Sequence, residues 1–174
     1  ALGIYETAPL WHGLWKSLGF KVEFSNMSTR KTYEKGQFTI PSDTACYPAK
    51  IMHGHIEELI EKGVDIIFYP SLTYNIKEKG SANHYNCPVV AYYAELLNGN
   101  LENLGRSRFF YPYLNINSRS EMAREMREYL AGIGHSFTLA QVKRAVKAGF
   151  AEYDKYMAEI RHQGERALDH AERW

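Results

Sequence analysis

Cysteine is scarce: Cys46 and Cys87 are the only two in 174 residues. That count cannot staple a secreted disulfide scaffold, so the chain reads as a protein of a reducing, cytoplasmic compartment. No apolar run approaches the roughly 20 residues that a bilayer-spanning helix needs, which excludes a helical membrane protein. Neither sign of charge is in excess. Lys and Arg number 21 against 20 Asp and Glu, and their mixing along the chain leaves no basic stripe for nucleic acid. There is no internal repeat and no glycine-rich loop of the kind that cradles ATP phosphates. The opening residues Ala1-Leu2-Gly3-Ile4-Tyr5 have no charged leader or signal-peptide core, and read as a strand in a piece of a longer polypeptide.

What remains supports a folded domain: 45% hydrophobic residues, and a 14% aromatic share weighted to tyrosine. Strand-like runs at 2–5, 22–25, 64–69, 89–92 and 109–111 alternate with helical patterns at 9–18 and 29–35 and from Pro48 to Lys62-Gly63. In the last helix Ile51, Met52, Ile56, Leu59 and Ile60 share one face. This order predicts an α/β fold over 1–118: an open, mostly parallel four- or five-stranded sheet, flavodoxin-like in order, with helices on both faces. Residues 119–174 read as a helical extension. Ser120 is the expected cap of a first helix ending near Gly132, and Thr138 the cap of a long C-terminal helix. Val146, Phe150, Tyr153, Met157, Ile160, Gly164, Ala167, Ala171 and Trp174 recur there at threes and fours, a seam for a parent-protein neighbour or for a homodimer. Unbroken, that helix is roughly 50 Å long and projects beyond the core, whereas Gly149 and Gly164 are the places where it would break.

Chemistry concentrates at the two cysteines. Cys46 opens the helix that begins near Pro48, and Cys87 ends a Tyr/Asn/Gly-rich loop just before an apolar run. A helix N-terminus favours anionic sulfur, the form that binds metals or attacks electrophiles; a buried, inert thiol is the alternative at both positions. His53 and His55 lie two apart on a helix, so they face different sides and do not chelate together. Both read as packing or supporting residues. His84, three residues before Cys87, offers a third ligand for a zinc site with Cys46 and Cys87. The loop residues Asn75, Asn83, His84, Tyr85 and Asn86 are either a binding surface or simply turn formers.

The strings Ser42-Asp43-Thr44-Ala45-Cys46-Tyr47-Pro48-Ala49-Lys50, His53-Gly54-His55 and Asn83-His84-Tyr85-Asn86-Cys87-Pro88-Val89-Val90, with the Trp11-His12-Gly13 helix, resemble a known family. They are similar to the domain associated with activase modules of large CoA-substrate-specific enzyme activases, in the 2-hydroxyacyl-CoA dehydratase and activator superfamily. The resemblance covers roughly residues 1–115. It implies an anaerobic, ATP-dependent, low-potential electron-transfer system with an iron–sulfur cofactor, a 4Fe-4S cluster, ligated by Cys46 and Cys87. A third cysteine is expected in the loop after Tyr69-Pro70, where this chain has Ser71. His84 would then support the ligands, and the other domains of the parent polypeptide would be partners. The isolated chain, short of a thiolate, is expected to lack the cluster and not to dehydrate acyl-CoA by itself. The alternative function is a non-catalytic docking domain that has lost cluster binding.

Overall fold

The computed structural model describes residues 2–173; Ala1 and Trp174, which the sequence reading placed in a strand and at the end of the helical seam, lie outside the described residues. Its centre is a pair of parallel strands, β1 (Ile66–Phe68) and β2 (Arg108–Phe110), in the register Ile66 to Arg108, Ile67 to Phe109 and Phe68 to Phe110. Beyond the strands the pairing continues loosely: the Tyr69 amide donates to the Phe110 carbonyl at 2.8 Å, and the Ser71 amide to that of Pro112 at 2.9 Å.

Side-chain alternation along β1 sorts the helices into two layers. Ile66 and Phe68 pack with α1 (Ile4–Ser17), α5 (Arg119–Gly132) and α6 (Leu139–Glu172) through Leu10, Leu14, Met126 and Val146. Ile67 and Tyr69 face the other way, onto α3 (Tyr47–Glu61) and α4 (Pro88–Asn100), through Ile56, Ile60 and Leu97. The short helix α2 (Arg30–Gly36) lies on α3.

The expected four- or five-stranded sheet is not formed; among the described residues there are two strands of three residues each. The run 2–5 enters α1, whose first turn is closed by Thr7, both its amide and its hydroxyl donating to the Gly3 carbonyl. The run 22–25 has no regular secondary structure and lies outside any ladder. The run 89–92 is helical because Pro88 occupies the first turn of α4 and fixes a helical start, overriding the strand preference of Val89 and Val90. The run 109–111 matches β2 to within a residue, whereas 64–69 keeps only its central three residues in β1.

The helical readings fare better. Lys62 caps α3, and Gly63 follows with φ +70°, a conformation that a side chain would strain. Ser118, not Ser120, caps α5, and Thr138 caps α6 with its hydroxyl accepting from the Gln141 amide. α6 runs 34 residues through Gly149 and Gly164 without a break. Gly149 is a crossing point: a Cβ there would lie 2.5 Å from the Leu10 carbonyl of α1. The seam is buried at Val146, Phe150 and Tyr153, and exposed at Ile160, Gly164, Ala167 and Ala171. Among the described residues no helix is long and apolar enough to cross a membrane.

Candidate functional site

Cys46 and Cys87 occupy the same local structure. Each is the residue before a helix, with φ −64° and ψ 155° at Cys46 and φ −64° and ψ 153° at Cys87, and each is followed by a proline in the first turn. Their carbonyls take up first-turn amides, Ala49 and Lys50 on Cys46 and Ala91 on Cys87, while neither thiol caps its helix. Both thiols are free and exposed, so neither is the buried thiol of the alternative reading.

The topology brings the two helix starts to one edge. α3 ends at Glu61, shortly before β1 begins at Ile66, and α4 ends at Asn100, ahead of β2 at Arg108. Both helices therefore run back along the sheet and begin at the carboxyl ends of the strands. Ser71 lies at the same edge, bridged in parallel to Tyr113. Its backbone is paired on both sides, to Pro112 and Leu114, but its hydroxyl is buried without a partner. An orphaned buried hydroxyl costs about 1–3 kcal/mol, so this oxygen is held where it is by its neighbours rather than by a bond of its own.

Two buried tyrosines connect the cysteines. Burial raises Tyr69 well above the ordinary phenol range, with Tyr93 and then Cys87 adding to it; burial also raises Tyr93, with Cys46 adding to it. Tyr93 in turn meets His53, which is fully buried between the Tyr93 hydroxyl at 3.0 Å from Nε2 and Thr39 Oγ1 at 2.8 Å from Nδ1. Because the Thr39 hydroxyl already donates to the Gly36 carbonyl, it accepts from His53 Nδ1–H, and Nε2 accepts from Tyr93. The imidazole is thus neutral, and burial pushes its pKa down to about 4. His55, on another face of α3 as expected, shares a 2.8 Å hydrogen bond with Ser28 Oγ, and burial lowers its pKa too. Both histidines are structural supports of α3.

The long loop closes on itself. Tyr74 and Tyr85 form an antiparallel bridge, and the Asn86 amide donates to the Thr73 carbonyl at 2.9 Å. His84 is half-buried with its ring 5.3 Å from that of Tyr74. Asn83 Oδ1 accepts from the Tyr85 amide and Asn86 Nδ2 donates to the Leu72 carbonyl, so these side chains brace the loop's own backbone. Asn75 reaches further and donates to Glu6 of α1. Among the described residues no three His, Cys, Asp or Glu side chains come together to hold a metal ion, so Cys46, Cys87 and His84 do not make a ready zinc site.

Sequence reasoning passed over Glu95. On α4 its carboxylate accepts from Tyr113 at 2.9 Å and from Tyr111 at 3.4 Å, and burial followed by Glu95 pushes Tyr113 up to about 12. A lone glutamate between Ala94 and Leu96 carries no motif; only the strand-to-helix packing places two tyrosines over it. The His53–Tyr93 pair was equally hidden, since 40 residues separate its members.

No curated protein and no solved structure matches the chain. A family model matches residues 1–173, nearly the whole chain, and the chain therefore belongs to the CoA enzyme activase uncharacterised domain family (DUF2229).

Proposed function

We propose that this domain supplies two thiolate ligands, Cys46 and Cys87, to a 4Fe-4S cluster in an activase and dehydratase-like reductase system of an anaerobic, cytoplasmic setting. The observation that carries the reading is the matched pair of exposed cysteines, each opening a helix with a proline in its first turn, at one edge of the sheet. Soft thiolates are the donors such clusters need, and helix N-terminal amides suit the negative charge of a thiolate-bound cluster. When bound, the cluster would supply one-electron transfer at low potential. The fit is that of a half-site. A cubane has four ligand positions, this chain has two cysteines, and among the described residues the Ser71 hydroxyl, buried at the same edge, has no bond of its own. The remaining ligands come from other domains of the parent polypeptide or from another subunit, with His84 supporting the loop that carries Cys87. Acyl-CoA dehydration by this chain alone is not part of the proposal.

The test is anaerobic reconstitution with iron and sulfide, with visible absorption and iron, zinc and sulfide counts on wild type, Cys46→Ala and Cys87→Ala, alone and within the parent polypeptide. Iron with equimolar sulfide that is lost in both variants supports the reading. Zinc in its place, or a chromophore indifferent to both substitutions, refutes it. A second reading, a docking domain, is favoured by α6, which has no buried residue after Tyr153 and exposes Ile160 and Leu168 for another domain or a second copy. It gains if the parent polypeptide stays free of metal.

A further inference from the structure

A groove of about 1350 Å³ opens beside β1. One side wall is the stretch 64–70, which contains β1. The strand is bonded to β2 alone, so among the described residues its other edge faces the groove without a ladder partner. The stretch 19–25, which belongs to no strand, also lines the groove. The faces above and below are apolar: Trp11 and Trp15 of α1 on one side, Met52, Ile56 and Leu59 of α3 on the other. Since α1 and α3 belong to opposite layers, the groove lies in the plane of the sheet.

Polar atoms decide between an alkyl ligand and a peptide. The unpaired backbone amides and carbonyls of the strand edge call for an occupant with regularly spaced amide donors and carbonyl acceptors and with apolar side chains on both faces. The seven residues 64–70 span about 23 Å when extended, enough for six or seven residues in register.

We propose that the groove is the seat of an extended, apolar, β-branched segment that lies ahead of residue 1 in the same polypeptide and pairs in parallel with β1. The direction follows from where α1 begins. Leu2, Gly3 and Ile4 line the groove, and Glu6 in the first turn of α1 is held by Asn75, in the loop that leaves the carboxyl end of β1. A segment that leaves the groove there to enter α1 runs from the amino to the carboxyl end of the strand, parallel to β1. It adds a single strand at the free edge, and this edge-strand protection is what a bare strand otherwise lacks.

The experiment compares three proteins by hydrogen exchange and light scattering: the 174-residue chain, the chain with Lys-Val-Val-Ile-Val-Gly fused ahead of residue 1, and the same fusion with proline at its second and fourth positions. The strand-forming fusion is expected to slow exchange of the amides in 66–70 at least tenfold and to displace a bound anilinonaphthalene sulfonate dye, while the proline fusion does neither. Equal exchange in all three proteins overturns the proposal. So does a dimeric unextended chain whose 66–70 amides are already protected, which would make a second copy the occupant. Dye displacement by both fusions without added protection would likewise overturn it.

Discussion

His53 makes the stability of this domain sensitive to mild acid. The ring is fully buried, donates from Nδ1 to Thr39 and accepts at Nε2 from Tyr93, and burial disfavours the charged form. Its folded-state pKa of about 4 lies below the ordinary 6.5, so the unfolded chain takes up the proton first. The contribution is therefore complete above about pH 7 and is lost as pH falls through 6.5 towards 4. The loss reaches about 2 kcal/mol at pH 5 and approaches about 3 kcal/mol near pH 4, at about 1.36 kcal/mol for each pH unit. That is a large share of the 5–15 kcal/mol that holds a typical domain together. Other groups titrate in the same range, His55 among them with the same sign, so the assay is a difference. Urea unfolding of wild type and His53→Gln is followed from pH 8 to pH 5. Glutamine can donate to Thr39 and accept from Tyr93 but does not titrate. Wild type should lose about 2 kcal/mol more than the variant between pH 7.5 and pH 5, and nitrogen-detected NMR at pH 7 should show the proton on Nδ1. Parallel curves, within about 0.5 kcal/mol, would refute both the burial argument and the assigned tautomer.

Four further outcomes follow from the packing and from the site. Gly54→Ala would place a Cβ 1.6 Å from the Thr32 carbonyl, a backbone atom that cannot swing aside, so α2 must separate from α3; a loss of at least about 3 kcal/mol in urea unfolding is expected. Two glycines of α6 should respond with opposite signs in thermal melts. Gly149→Ala lowers the melting temperature, because its Cβ would sit 2.5 Å from the Leu10 carbonyl, whereas Gly164→Ala, with nothing within 4 Å, gains about 0.5–1 kcal/mol from helix propensity. At Ser71, alanine removes an unpartnered buried hydroxyl and should leave stability unchanged or raise it by about 1 kcal/mol, as read by urea unfolding. Cysteine at the same position should raise the iron and sulfide retained after reconstitution, and no gain would count against Ser71 as the vacant ligand position.

What the sequence made legible is local, and what it hid is long-range. Pro48, Thr138 and the Lys62-Gly63 stop act within a turn or two of the chain, so the helices they bound could be placed from composition and spacing alone. The same logic put Cys46 at a helix start, whereas the run after Cys87 was read as a strand although Pro88 in the first turn opens α4 there. Strands were misjudged because an apolar run shows burial, not pairing. Val89 and Val90 are half-buried on a helix, and 22–25 lines a groove with no ladder partner. Pairing needs a neighbour, and the pattern of a run does not name one. The same limit governed the site. Gly54 carries no mark of its own in the sequence, and only the crossing of α2 makes it a contact, as only the crossing of α1 turns Gly149 from a breaking point into a packing surface. Where chemistry rests on a motif, as at Cys46 and Cys87, sequence reaches the residue. Where it rests on two elements meeting, as at His53 with Tyr93 or Glu95 with Tyr113, the residue types carry no mark until the fold brings them together.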